Sequence, residues 1–224
     1  RHALPSTHLL VDVDDGFGDE TVASNTIRIL ESNGISAVML EDQKRPRRCG
    51  HFEGKQVLPV TEYLTKLRAV LQARSSIFVI ARTDAQDPSE AIERAISYAE
   101  AGADGVMVEA IKDLETIAKL RSYVTVPIMV NQLHGGKSRS WRFNELESAG
   151  ATIVIYSTPC LFAAQYAIEH YLDAMLEQNR LPSENTASMS DCARVLEGPA
   201  IQRQNTPLQE PAHGPLNGAL PAGA

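Results

Sequence analysis

From residue 9 onward the chain alternates two hydrophobic rhythms. Short runs that are apolar on both faces read HLLVDVD at 8–14, ISAVMLE at 35–41, SIFVIAR at 76–82, DGVMVEA at 104–110, VPIMVN at 126–131 and ATIVIYS at 151–157. Between and after them, near 20–33, 60–74, 88–101, 113–121, 142–149 and 160–178, apolar residues recur at helical spacing. A strand with no polar face is covered on both sides, and parallel strands need a crossover between them. The pattern therefore predicts a parallel sheet clothed in helices, an α/β fold. Glycines at NG 33–34, AG 101–102 and AG 149–150 fall where the helices stop and suit a left-handed cap.

The polar residues add direction to this picture. Asp12 and Asp14, Glu41 and Asp42, Arg82 and Asp84, Glu109 and Asn131 all lie at or just beyond the C-terminal ends of their runs. In parallel α/β folds that rim is where sites are built, because strands fix the residues and loops shape the pocket. Any one such acid also suits a helix N-cap; five strand ends together favour a site. The first run is followed by no GxGxxG, and no GxxxxGK[ST] occurs, so dinucleotide and P-loop nucleotide binding lose their usual cue.

After residue 182 the rhythm fades. The segment 183–198 carries one short helix, expected over 188–197, and a Pro, Gly and Ala-rich tail at 199–224 is expected to be disordered. The 224 residues are 43% apolar, enough for a sizeable core. A formal charge of −7 argues against a polyanion-binding surface, so no nucleic-acid partner is expected; RCGH at 48–51 forms a local basic island suited to a small anion. No apolar stretch reaches the roughly 18 residues of a membrane span, and the start lacks a signal-peptide core, so the expected location is cytoplasmic. Three widely spaced cysteines fit neither a disulfide framework nor a CxxC pattern.

The chemistry begins with oxygen. Asp12 and Asp14 are two apart on one run and are expected on one face; with Glu41 they offer three hard donors suited to Mg²⁺ or Mn²⁺. The alternative is salt bridging to arginines of the rim. Arg82 can fork onto a carboxylate, and its alternative is pairing with a rim acid. Glu109 and Asn131 supply an acceptor and an amide, either for substrate or for each other. Cys49 is flanked by Arg47, Arg48 and His51, neighbours that lower a thiol pKa if they stay close. Cys160 and Cys192 read as packing cysteines. His134 precedes a glycine pair that is either a mobile lid or a plain turn, and His170 lies on a helix, at a surface or interface.

LVDVDDGFG, LEDQKRPRRCGHFEGK, IARTDA, AISYAEAGADGVMVE and VPIMVN resemble, in order and spacing, the isocitrate lyase and phosphoenolpyruvate mutase superfamily, over about residues 5–198. The resemblance implies a (β/α)8 TIM-barrel-type fold, here with about six β/α units over residues 1–182. It implies Mg²⁺ (or Mn²⁺) held by Asp12, Asp14 and Glu41, and a small 2-oxo or 2-hydroxy carboxylic acid bound by Arg82, Glu109, Asn131 and Gly50. In the superfamily's carbon–carbon lyases the KRCGH loop carries a cysteine that protonates the departing enolate carbon. Here that loop reads Arg47-Arg48-Cys49-Gly50-His51, making Cys49 the acid, with Arg48 and His51 beside it and His51 tuning the thiol. Phosphonate mutases usually have asparagine and serine there, so Cys49 points to a lyase of methylisocitrate or 2,3-dimethylmalate type. A carboxyvinyl-carboxyphosphonate phosphorylmutase-like enzyme, an oxaloacetate hydrolase or decarboxylase, and an inactive fragment are the alternatives.

Two departures accompany the resemblance. Members have two further strand–helix units before the VDVDDG strand, whereas only about eight residues precede it here, which reads as an N-terminally incomplete member. Asp15 stands where lyases commonly have threonine or serine and is expected to add negative charge beside the metal. A homotetramer is expected of the complete protein, and no membrane partner.

Overall fold

A computed structural model describes residue 4 and residues 6–196. Six strands alternate with helices: β1 (Leu10–Asp12), α1 (Glu20–Ser32), β2 (Ala37–Glu41), α2 (Val60–Ala73), β3 (Phe78–Thr83), α3 (Pro88–Glu100), β4 (Gly105–Val108), α4 (Leu114–Tyr123), β5 (Ile128–Gln132), α5 (Phe143–Ala149) and β6 (Ile153–Tyr156). A long α6 (Pro159–Gln178) and a short α7 (Met189–Leu196) follow. All six strands are parallel and pair in sequence order, so the sheet curls as part of a barrel. The expected short C-terminal helix is α7; the tail expected to be disordered lies outside the described residues.

The period of two along each strand divides its side chains between two environments. Val38, Leu40, Val79, Ala81, Val106, Ile128 and Val130 face the helices and join Ile27, Leu67, Tyr98 and Leu120 in the main core. Met39, Ile80, Met107 and Met129 form a second apolar layer on the inner side of the curl. Glu41, Arg82, Glu109 and Asn131 each stand two residues further on, so parity turns them to the same inner side. An apolar floor thus carries a polar rim. Full burial of each Val, Ile, Leu or Met contributes about 1.5–3 kcal/mol, which sets strand register strongly, since a one-residue slip exchanges the two faces.

Acids that cap helices are distinct from those of the rim. Asp19 accepts from the Thr21 and Val22 amides, Asp87 from Glu90 and Asp113 from Thr116, fixing the starts of α1, α3 and α4. Gly34 and Gly150 follow α1 and α5 with φ of 75° and 97°, the conformation expected of both.

Asp42 points the other way from Glu41, into the helix layer, and is fully buried. It accepts from Tyr98 Oη (2.7 Å), Thr83 Oγ1 (2.7 Å), the Asp84 amide (2.9 Å) and Arg94 (3.3 Å). Arg94 also donates to the Leu58 carbonyl at 2.9 Å, so one buried carboxylate ties the ends of β2 and β3 to α3 and the loop before α2.

Glu31 makes a comparable tie at the opposite end of the sheet. Its carboxylate accepts from the Ser75 amide at 2.9 Å, from the Ser76 amide, and from the Ile77 amide at 2.8 Å. These bonds hold its pKa at about 2, against an ordinary 4.5. A carboxylate with a depressed pKa contributes stability that is present above the unfolded pKa and lost as pH falls through the folded one. Glu31→Gln is therefore expected to cost about 1 kcal/mol at neutral pH, after discounting for solvent screening. In denaturant titrations the gap to wild type should close between pH 4.5 and 2; a gap constant with pH would refute the ionic origin.

None of the twenty residues of α6 is buried, and Leu161, Tyr166, Ile168, Leu172 and Leu176 are exposed. Cys160 and Cys192 are exposed too, which corrects their reading as packing cysteines: the apolar neighbours that sequence places around them lie on helices of which no residue is buried among the described residues. No helix among the described residues is long and apolar enough to cross a membrane.

Candidate active site

The strand-end residues converge on a cavity of about 640 Å³. Glu41 enters from β2, Arg82 from β3, Glu109 from just beyond β4, Asn131 from β5 and Ser157 from just beyond β6. The β2–α2 loop covers it with Arg47, Arg48, Cys49, Gly50 and His51, and the segment after β5 adds His134 and Lys137. The seven residues expected to catalyse or to bind substrate thus line one cavity.

Arg82 is the electrostatic hub. Its Nε lies 2.8 Å and one Nη 3.1 Å from the two oxygens of Asp84, a fork-to-fork pair between a residue of β3 and one just beyond its end. Lys55 Nζ balances Asp84 from 3.1 Å. The same Arg82 Nη lies 3.5 Å from Glu41 and the Nε 3.7 Å from Glu109, while the other Nη is 3.8 Å from Asp12. Burial works against the charge on Arg82, but Asp84, Glu109 and Glu41 together raise its pKa. Asp84 and Lys55 were not foreseen as anchors; the spacing of Arg82 and Asp84 was the available signal.

Asn131 is oriented by its neighbours. Ser157 Oγ donates to its Oδ1 at 2.8 Å, while its Nδ2 donates to Glu109 Oε1 at 3.3 Å. Burial pushes the Glu109 carboxyl up, but His51, Arg82 and Asn131 outweigh it and leave the pKa lowered. Its buried Oε2 has no hydrogen-bond partner among the described residues, an acceptor left over for a ligand.

His51 Nδ1 accepts from the Lys137 amide at 2.9 Å, which leaves the ring proton on Nε2. That nitrogen stands 2.8 Å from Glu109 Oε1, close but without the alignment of a full hydrogen bond. Both ring nitrogens thus serve Glu109 and the segment after β5, rather than the Cys49 thiol that sequence assigned to His51. The Gly135–Gly136 pair lies in a turn, with the Gly136 amide on the Leu133 carbonyl, and Gly136 packs against the His51 ring.

Cys49 is exposed to the cavity. Its loop is clamped by Gln43, whose side chain donates to the Arg48 carbonyl at 2.8 Å and accepts from the Arg48 amide at 2.9 Å. The Arg48 side chain reaches the Glu53 carbonyl at 3.5 Å. Gly50 is where this loop presses on the rim: a Cβ there would lie 2.3 Å from Glu109 Cγ and 2.9 Å from an Arg82 Nη. Gly50→Ala is expected to lift the loop and raise the KM of any rim-bound acid about 100-fold, with little change in Tm because the loop yields rather than the core. Unchanged KM would show that the loop does not close on the ligand.

Asp14 lies beyond β1 rather than on it, which corrects the two-apart strand geometry. Its φ is 54° and its amide donates to Asp12 Oδ1 at 2.9 Å, so a turn brings the second acid round. Glu41 Oε1 accepts from Arg47 Nε at 2.6 Å, and the same guanidinium bonds Asp14. Asp15 is turned away: it forms a two-pronged pair with Arg45 at 2.6 and 2.9 Å, so its added charge is spent there rather than on Asp12 and Asp14.

Among the described residues no three His, Cys, Asp or Glu side chains form a ready-made metal cage. The donor chemistry nevertheless fits a hard divalent ion. Asp12, Asp14, Glu41, Asp84 and Glu109 face Arg47, Arg82 and Lys55 in one ion-pair network, an excess of two negative charges. Burial pushes Glu41 up to about 7 against the pull of Arg82 and Arg47, as expected of a carboxylate short of countercharge. Asp12 and Asp14 remain partly open to solvent, with side-chain exposures of 46% and 37%.

A curled parallel β/α sheet with acids, a guanidinium and a cysteine loop at its C-terminal rim defines a site of the α/β-barrel type. The phosphoenolpyruvate phosphomutase family profile matches residues 2–176. The chain belongs to that family, within the phosphoenolpyruvate mutase and isocitrate lyase superfamily.

It is 38% identical over 172 residues to 2-methylisocitrate lyase of Bacillus subtilis, covering 75% of this chain and 57% of that protein. It is 32% identical over 165 residues to 2,3-dimethylmalate lyase of Eubacterium barkeri, covering 71% of this chain and 57% of the relative. The chain thus spans little more than half the length of these relatives. A crystal structure of 2,3-dimethylmalate lyase superposes with a TM-score of 0.79 at 28% identity, over 87% of this chain and 67% of that one.

Proposed function

We propose that the protein is a Mg²⁺-dependent carbon–carbon lyase that cleaves a substituted malate-like 2-hydroxy acid, of methylisocitrate or 2,3-dimethylmalate type, to a 2-oxo acid and a second carboxylic acid. The observation that carries the reading is the opening of the Cys49 thiol into the cavity that also receives Arg82, Glu109 and Asn131. Likeness to two lyases of this reaction type supports it.

Asp12, Asp14 and Glu41 would hold the divalent ion. When bound, the ion would supply positive charge against the oxygens on which enolate charge develops. Arg82, fixed by Asp84, offers the free part of its guanidinium to a substrate carboxylate. Oε2 of Glu109, which accepts no hydrogen bond among the described residues, accepts one from a substrate hydroxyl, and the amide of Asn131, locked by Ser157, donates to a second carboxylate. As the carbon–carbon bond breaks, the substrate hydroxyl gives up its proton to water and becomes the 2-oxo group, while the departing carbon keeps the electron pair and takes the Cys49 proton, leaving a thiolate beside Arg47 and Arg48. His51 joins the loop to Glu109, so the acid and the carboxylate that orients the substrate move as one.

Incubating the purified chain and Mg²⁺ with methylisocitrate, dimethylmalate or phosphonopyruvate tests the reading. Pyruvate or another 2-oxo acid from either hydroxy acid is expected; turnover of the phosphonate alone would replace the lyase with a mutase. We also propose that the complete protein is a homotetramer, a reading supported by the apolar residues that α6 exposes. A cytoplasmic location remains part of the proposal.

A further inference from the structure

We propose that Arg47 is an exchangeable counter-ion of the acid cluster: it occupies Glu41 and Asp14 until a divalent cation takes them, then turns into the cavity beside Cys49. This rests on the divalent-ion reading above and deepens it by giving Arg47 a positioning role.

Three observations carry it. First, the same guanidinium engages both acids, with Nε 2.6 Å from Glu41 Oε1 and an Nη on Asp14. Among the ion pairs of the rim, no other cation joins these two carboxylates. A divalent cation and a guanidinium repel each other at that separation and compete for the same oxygen lone pairs, so occupancy by one excludes the other. Second, Glu41 is 1% exposed at its side chain and is fixed in place, whereas Arg47 is 29% exposed and lines the cavity. The arginine has somewhere to go and the glutamate does not. Third, the remaining anchors of the loop avoid these two acids: Gln43 on Arg48, Arg45 on Asp15 and His51 against Glu109. Losing the Arg47 contacts moves one side chain and leaves the loop seated.

The exchange links the two halves of the site. Arg47 is two residues before Cys49, so a guanidinium released by the ion arrives where an anionic substrate must meet the thiol. The charge that held the acids together becomes available to the ligand only once the ion is in place.

Two measurements test this without reference to turnover. Calorimetry of Mn²⁺ binding should show Arg47→Gln binding about tenfold tighter than wild type, because the internal competitor is gone. Arg47→Lys should fall between them, since a lysine keeps the charge without the two-acid fork. Trypsin must draw the Arg47 side chain into its own pocket to cut after it. In the wild type, saturating Mn²⁺ should therefore raise cutting after Arg47 about fivefold relative to cutting after Arg48, the internal reference. Equal or weaker Mn²⁺ binding by Arg47→Gln, or an unchanged cutting ratio in wild type that demonstrably binds Mn²⁺, overturns the exchange alone. Absence of binding heat from both wild type and Asp14→Asn/Glu41→Gln overturns the divalent-ion reading and the exchange with it.

Discussion

Cys49→Ser is expected to lower turnover about a thousandfold while leaving divalent-ion affinity nearly unchanged, the size of effect typical for loss of a positioned general acid. The thiol is exposed to the cavity, separated by Gly50 from His51, which contacts Glu109, and by Arg48 from Arg47, which holds Glu41. Serine fits the same space and keeps a hydroxyl that hydrogen-bonds. What it loses is acidity: an alcohol gives up a proton far less readily than a thiol, so delivery to the departing carbon fails although the substrate still binds. The measurement is single-turnover cleavage at saturating substrate, with Mn²⁺ calorimetry alongside. Full activity in the variant would remove Cys49 from the chemistry, and a parallel loss of ion binding would make the residue structural.

The second large effect is on stability. Asp42→Ala should cost about 3–5 kcal/mol, because it removes the acceptor while leaving its donors buried. Tyr98, Thr83, the Asp84 amide and Arg94 all converge on this one carboxylate. Asp42→Asn should also destabilise, since its amide sets a donor against at least one of them. Urea titration at 25 °C reads both. A loss of under about 1 kcal/mol for the alanine would mean that these donors find other partners once freed. Asp84, which pins Arg82, follows Thr83 directly, so damage here should also reach the site and raise KM in any variant that still folds.

Much of this was legible in one dimension. All six strands and the helices between them occur where the two hydrophobic rhythms place them, because periods of 2 and 3.6 are local properties of a chain folding around one core. The rim was legible for the same reason: Met39 and Glu41, Ile80 and Arg82, Met107 and Glu109, Met129 and Asn131 are pairs two apart, and any strand puts both members on one side. Pairing was not. Asp15 looks like a third acid beside Asp12 and Asp14, yet it belongs to Arg45; His51 looks like a partner of Cys49, yet its nitrogens reach Glu109 and Lys137. The Gln43 clamp on Arg48 and the hold of Ser157 on Asn131 gave no sequence signal beyond their polarity.

By itself, then, the sequence determined the order of elements, the face each strand residue takes and the set of polar groups that gather at one end of the sheet. Backbone periodicity and burial decide those, and both can be read from neighbours a few residues away. Only the tertiary structure decided which carboxylate meets which cation: Arg47 across Asp14 and Glu41, Lys55 on Asp84, and the Lys137 amide on a histidine 86 residues earlier. A charge chooses partners by distance in space rather than along the chain. Those distances were set by loops whose left-handed turns, as at Asp14, redirect side chains in ways no hydrophobic period records.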